Sequence, residues 1–209
     1  MNGGIPARPA PYEMREATKA DRPQIEELLD QRSKWTVRQR VPFAAVPFRL
    51  LQMIGQHHDP DGARVMVLAE DGHLLGCVVM TPSAPVTEGW SPREMSEPAL
   101  YLNHACTRPD ETSSRGTASS LMALWAGDQA ARHGITLIRC SVQSGHVAGM
   151  LCRNRRWTPL RLGMSGAYAP VTLLQRRAEL QPELDRFIIG ALTLNPANGR
   201  PSGAVHSTP

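Results

Sequence analysis

The stretch "SSRGTASSLMALWAGDQAARHG", Ser113 to Gly134, puts a loop of small residues with one arginine at the mouth of an amphipathic segment. Ala118, Leu121, Met122, Trp125 and Ala126 recur at helical spacing as an apolar stripe, with Ser119, Ser120, Asp128 and Arg132 off it and Gly134 as a stop. A helix pinned by that stripe aims its unpaired first-turn amides and the positive end of its dipole at the loop. Such an end binds anions. Gly116, Thr117 and Ala118 are small enough to let a pyrophosphate approach, and Arg115 adds a cation. The plainer reading is that Ser113, Ser114 and Gly116 only form a turn and a helix cap.

The elements that must position this loop follow from pattern. "YEMREA" reads as a strand, and "TKADRPQIEELLDQR" as a helix, with Thr18 as N-cap, Asp21 three residues on, and Ile25, Leu28 and Leu29 on one face. "FAAVPFRLLQMIGQHH" is helical around Pro47. "ARVMVLAEDGHLLGCVVM" is a hairpin turning at Asp71-Gly72. "ALYLNHACT" is a strand before the loop and helix; "ITLIRCSV", a short helix in "GHVAGMLCRN", and the strands "TPLRL" and "VTLLQR" follow. The order predicts a mixed α/β fold with helices on a central sheet. The expected organisation is a flexible leader over 1–11, a domain over 12–177, an accessory amphipathic helix over 178–194 and a disordered tail over 195–209. The helix is expected from Leu184, Phe187, Ile188, Ala191 and Leu192, whose apolar face must dock on its own domain or on a partner subunit in a homodimer.

With this context, "SSRGTA" followed by its helix, the strand "LIRCSV" and the later "CRNRRW" resembles the GNAT superfamily of N-acetyltransferases, over roughly Tyr12 to Arg177. The superfamily loop has the form Arg/Gln-x-x-Gly-x-Gly/Ala; this sequence departs at its first position, Ser113. The resemblance implies a sheet whose fourth and fifth strands splay apart, with the pantetheine arm of acetyl-CoA in the gap. It implies that Ala105, Cys106 and Thr107 bond the pantetheine through their backbone and that Ser114, Arg115, Gly116, Thr117, Ala118 and Ser119 hold the pyrophosphate.

Acetyl transfer to an amine needs a neutral nucleophile, a stabilised oxyanion and a proton for the departing thiolate. Within the resemblance, His104 is the candidate base, since imidazole titrates near neutrality and this one borders the expected thioester. An ordinary strand histidine is the competing reading; His146 and a water chain to Glu70 are weaker candidates. The superfamily's usual acid, a tyrosine four residues before Gly-Phe, is replaced by Cys152, with Arg156 and Trp157 in the Gly-Phe places. Cys152 is thus either a thiol acid or core, and Tyr168 is the alternative acid. Trp35, Phe43 and Phe48 line an acceptor pocket or belong to the core.

Composition bounds the rest. Of 209 residues 41% are hydrophobic and 20% charged, the balance of one globular domain. No apolar run approaches a membrane span and no signal pattern opens the chain, so a cytoplasmic protein is expected. Cys77, Cys106, Cys140 and Cys152 lack metal-site or disulfide spacing, so no metal is expected. The net charge of +4 and the group Arg153, Arg155, Arg156 and Arg161 around Trp157 raise nucleic acid only as a tRNA-linked acceptor, against the plainer reading of arginine stems over a sheet edge. The leading expectation is transfer from acetyl-CoA to a primary amine. The alternative is a catalytically degenerate CoA-binding or protein-interaction module.

Overall fold

The computed structural model describes residues 11–39, 47–55, 62–84, 89–109, 117–165 and 169–193. Ser114, Arg115, Gly116, Tyr168, Phe43, the leader up to residue 10 and the tail from 194 lie outside the described residues.

The chain enters the sheet at β1 (Tyr12–Glu16) and turns into α1 (Arg22–Gln39) through a 3-10 turn at Lys19–Asp21. Thr18 donates its N–H and hydroxyl to Asp21, at 2.7 and 2.8 Å, and Arg15 grips the same carboxylate from β1 through two 2.7 Å bonds. The guanidinium holds the Asp21 carboxyl down at about 2, so the corner stays ionised and closed. After α2 (Pro47–Met53), β2 (Arg64–Glu70) and β3 (His73–Thr81) form the expected hairpin. Asp71 and Gly72 have φ of 48° and 77°, the doubly left-handed backbone of a twist-compatible two-residue turn.

A short helix follows that the periodicity did not foresee, α3 (Pro92–Ser96). Its signal was local: Ser91 accepts from the Glu94 N–H and Glu94 accepts from the Ser91 N–H, a capping box with Pro92 in first position. The chain continues through β4 (Ala99–Thr107), α4 (Thr117–Arg132), β5 (Leu137–Val142), α5 (Gly145–Arg155), β6 (Thr158–Ser165) and β7 (Ala169–Arg177) to β8 (Ile188–Ile189). The strands form one mixed sheet in the order β6-β7-β5-β4-β3-β2-β1-β8, with β4/β5 and β1/β8 parallel.

Both faces are covered. On one, Met122, Trp125, Ala126 and Ala130 of α4 and Ala148 of α5 pack on Met66, Leu68, Met80, Leu100, Ile138 and Leu174. On the other, Ile25, Leu28 and Leu29 of α1 and Leu50 of α2 pack on Val65, Val67, Cys77, Val79 and Cys106. A smaller cluster, Trp90, Ala99, Tyr101, Val171 and Leu173, lies under α3.

The amphipathic helix expected over 178–194 is not what forms. Pro182–Arg186 makes a 3-10 turn and Ile188–Ile189 a strand beside β1, with Ile188 and Leu192 buried in the chain's own core. Two main-chain bonds from α4 side chains override the helical spacing: Asp128 accepts from the Gln181 N–H at 2.8 Å and Gln129 from the Leu192 N–H at 3.0 Å. The edge of β1 supplies further partners, and an extended segment satisfies them where a helix cannot.

Candidate functional site

β4 and β5 pair only from Ala99↔Leu137 to Leu102↔Cys140. Beyond that point β4 runs on for Asn103 to Thr107, still paired with β3 but with no register to β5. The sheet therefore forks, and one edge of β4 is left open in the middle of the molecule.

The open segment carries a bulge. Cys77 faces Cys106 and Val79 faces Asn103, so two steps along β3 match three along β4. The extra residue falls at His104-Ala105. His104 takes a φ of 51°, a left-handed backbone that a side-chain-bearing residue adopts at a cost, and both residues are exposed whereas Ala99 to Leu102 are buried. The bulge thus turns the imidazole out of the sheet at the start of the open edge. Past the bulge the strand is regular again: Arg108 donates its N–H to Leu75 of β3 at 2.9 Å, so Thr107 turns its peptide groups away from β3, and Cys106, one step back, turns its own towards it. Of Ala105, Cys106 and Thr107, the residues expected to offer main-chain bonds to a ligand, Thr107 is thus turned to the open edge, Cys106 to β3, and Ala105 lies in the bulge.

Thr107 is already met from the other side. Arg32 of α1 donates from Nε to the Thr107 carbonyl at 2.9 Å and from a terminal nitrogen to its hydroxyl, while its guanidinium lies 5.0 Å from the Trp35 ring. Burial pushes the Cys106 thiol up to about 11, against the opposing pull of the same guanidinium. Its cross-strand neighbour Cys77 is raised further by burial. Both thiols are core groups rather than nucleophiles. Arg32 was not singled out from the sequence. The signal was a charge in line with the apolar stripe Ile25, Leu28, Leu29.

α4 begins at Thr117, and its second turn reaches the end of β4: a methyl on Gly76 would come 3.1 Å from Met122 Cε, 3.2 Å from Thr107 Cγ2 and 2.9 Å from the Cys106 carbonyl. The start of α4 is thereby held over the fork. Ala118 and Ser119 are half-buried there. On the far side, α5 starts from Ser144, which accepts from the Val147 N–H at 3.4 Å, and His146 is exposed in its first turn. Cys152 is half-buried and packs against the core of the α4 face. Arg156 closes α5 with a φ of 56°, the left-handed conformation that glycine favours, and Trp157 is buried. Trp157 is therefore unavailable to stack on a base, and Arg161 is spent on Glu94 through bonds of 2.5 and 2.6 Å. Glu70 sits on β2, with β3 between it and β4. Trp35 is half-buried under Arg32.

Among the described residues no group of three His, Cys, Asp or Glu side chains is placed to hold a metal ion, and no helix is long and apolar enough to cross a membrane.

No protein-family model and no curated protein matches the sequence. Solved structures do match the fold. An acetyltransferase from Thermus thermophilus superposes with a TM-score of 0.56 at 15% identity, covering 83% of this chain and 99% of that one. A GNAT-family acetyltransferase from Listeria monocytogenes gives 0.53 at 16% identity, covering 83% and 98%. A spermidine N-acetyltransferase variant from Vibrio cholerae gives 0.52 at 14% identity, covering 80% and 94%. The eight-stranded mixed sheet, forked between its fourth and fifth strands and covered by helices on both faces, is the fold of the GNAT acetyltransferases.

Proposed function

We propose that the protein is an acetyl-CoA-dependent N-acetyltransferase that passes the acetyl group directly to a primary amine while both substrates are bound. The observation that carries this reading is the fork, with its bulge at His104 and the main chain of Thr107 turned to the open edge. That edge suits the amide-bearing pantetheine arm, and the first turn of α4 with Arg115 and Gly116 suits the pyrophosphate.

In the reaction the amine nitrogen attacks the thioester carbonyl, forming the C–N bond. His104 takes the proton that the amine gives up, and a main-chain N–H of the open edge stabilises the oxyanion, an interaction worth about 3 kcal/mol where it has been removed in other enzymes. The C–S bond then breaks, and the CoA thiolate leaves with a proton from Cys152, from Tyr168 or from water. The products are the N-acetyl amine and free CoA. The packing of Cys152 against the core favours the other two donors.

The test is turnover of acetyl-CoA over a panel of polyamine, amino-sugar and peptide amines. His104→Ala is expected to lower kcat about 100-fold, to leave acetyl-CoA affinity unchanged and to flatten the rise of rate with pH that an imidazole base imposes. Tight CoA binding by the wild type with no turnover of any amine would instead support the non-catalytic CoA-binding reading.

A further inference from the structure

On α1 the residues facing the sheet are Ile25, Leu28 and Leu29, all buried, and the next position of that face is Arg32. A guanidinium set there loses water on one side and stays only if fixed partners replace it. Those partners are the Thr107 carbonyl and hydroxyl, with the Trp35 ring against the cation. The reach is unusual in its route. The Thr107 methyl stands beside Gly76 and Met122, on the α4 face, whereas α1 covers the opposite face. Arg32 therefore gets to Thr107 around the open edge of β4, a path that exists because β5 has already departed at Cys140.

We propose that Arg32 is a positioning residue for the acyl donor: resting on the acetyltransferase reading above, it fixes the main chain of Ala105 to Thr107 at the open edge and so sets the alignment of the pantetheine arm. Thr107 is the last residue of β4, and past the fork β5 gives that end no neighbour. One clamp from α1 replaces the missing strand. The contact also joins α1, which packs on the face beneath Cys106 and Val79, to the point where the chain leaves the sheet towards α4. Because it acts through Thr107 and not on the reacting atoms, its loss is expected to appear in donor binding at the pantetheine end and not in the binding of the nucleotide end.

The experiment compares full acetyl-CoA with adenosine 3′,5′-diphosphate, which lacks the pantetheine, by calorimetric titration of the wild type and Arg32→Met, with melting curves in parallel. Methionine keeps the apolar stem and removes the donors. Acetyl-CoA affinity is expected to fall about tenfold or more, the range for losing hydrogen bonds from a charged group, with the diphosphate affinity unchanged. Arg32→Lys, a single-point donor, is expected to recover part of the loss. Thr107→Val, which removes only the hydroxyl contact, provides a milder second variant, with a smaller loss confined to acetyl-CoA. Equal losses for both ligands, an unchanged acetyl-CoA affinity, or tighter binding in the variant would each overturn the proposal. Failure of the wild type to bind acetyl-CoA at all would overturn the acetyltransferase reading itself.

Discussion

The face of the sheet that carries α1 is covered in two different ways on the two sides of the fork. Over β1 to β4, α1 and α2 bury an apolar set that includes Leu28, Leu29, Leu50, Val67 and Val79. Over β4 to β7 the cover is Trp90 and the five residues of α3. So short a helix buries little, and directional contacts hold it instead. Arg139 of β5, 1% exposed, donates to the Glu94 carbonyl, to Glu97 and, at 3.1 Å, to the Tyr101 hydroxyl, and its guanidinium carbon lies 5.7 Å from the Trp90 ring. Glu94 in turn clasps Arg161 of β6. Arg139 faces Tyr101 across β4/β5, one pair before the strands part. The fork thus opens between a wall set mainly by non-directional burial and a wall set by charge, and, the Arg15–Asp21 corner at the entry to α1 apart, conditions that weaken charge should act on the second.

The largest effect expected is on the apolar wall. Leu28→Ala should cost about 3 kcal/mol of stability by urea unfolding, the same at low and high salt, because the loss is transfer and cavity energy. Arg139→Met on the other wall should cost about 2 kcal/mol: the volume is kept, but the Tyr101 hydroxyl and the Glu97 carboxylate lose this donor, and the Glu94 carbonyl keeps only the bond from the Tyr101 hydroxyl. A loss for Arg139→Met as great as that for Leu28→Ala would show that the charged wall is no weaker than the apolar one.

The smallest effect isolates the outer pair. Arg161 holds the Glu94 carboxyl down at about 2 from its usual 4.5. A carboxyl depressed in the folded state adds stability above its unfolded value and loses it as pH falls, here between 4.5 and about 2. The difference between wild type and Arg161→Met should be under about 1 kcal/mol at neutral pH, since the pair is partly exposed. It should shrink in 1 M salt and vanish below about pH 2, while the Asp21 corner, common to both proteins, cancels. A difference that survives acid and salt would mean that Arg161 acts by packing.

What could be read in the sequence was whatever a local pattern encodes. The Thr18-Asp21 cap, the Asp71-Gly72 turn and the stripe of α4 each depend on residues a few positions apart, and each forms as its spacing predicts. The carboxy-terminal segment shows the limit of such patterns. Leu184, Phe187, Ile188 and Leu192 have helical spacing, yet Ile188 and Leu192 are buried beside a strand, with Phe187 and Ile189 exposed. Gly190 lies so close to β1 that any side chain would strike the Met14 carbonyl. Hydrogen-bond partners on β1 and α4 outweighed the propensity, and nothing nearby in the chain announces them.

The candidate site divides in the same way. His104, Ala105, Cys106 and Thr107 were identifiable as the end of a strand, because alternation and the following loop mark that end. That His104 sits on a bulge in a left-handed conformation, that Ala105 is exposed beside buried Cys106, and that Arg32 clamps Thr107 were decided by the tertiary structure. A bulge is a mismatch between two strands, and a fork is the place where a third ceases to follow them. Both are relations among β3, β4 and β5, whose register is set by long-range pairing rather than by the order of residues along any one of them.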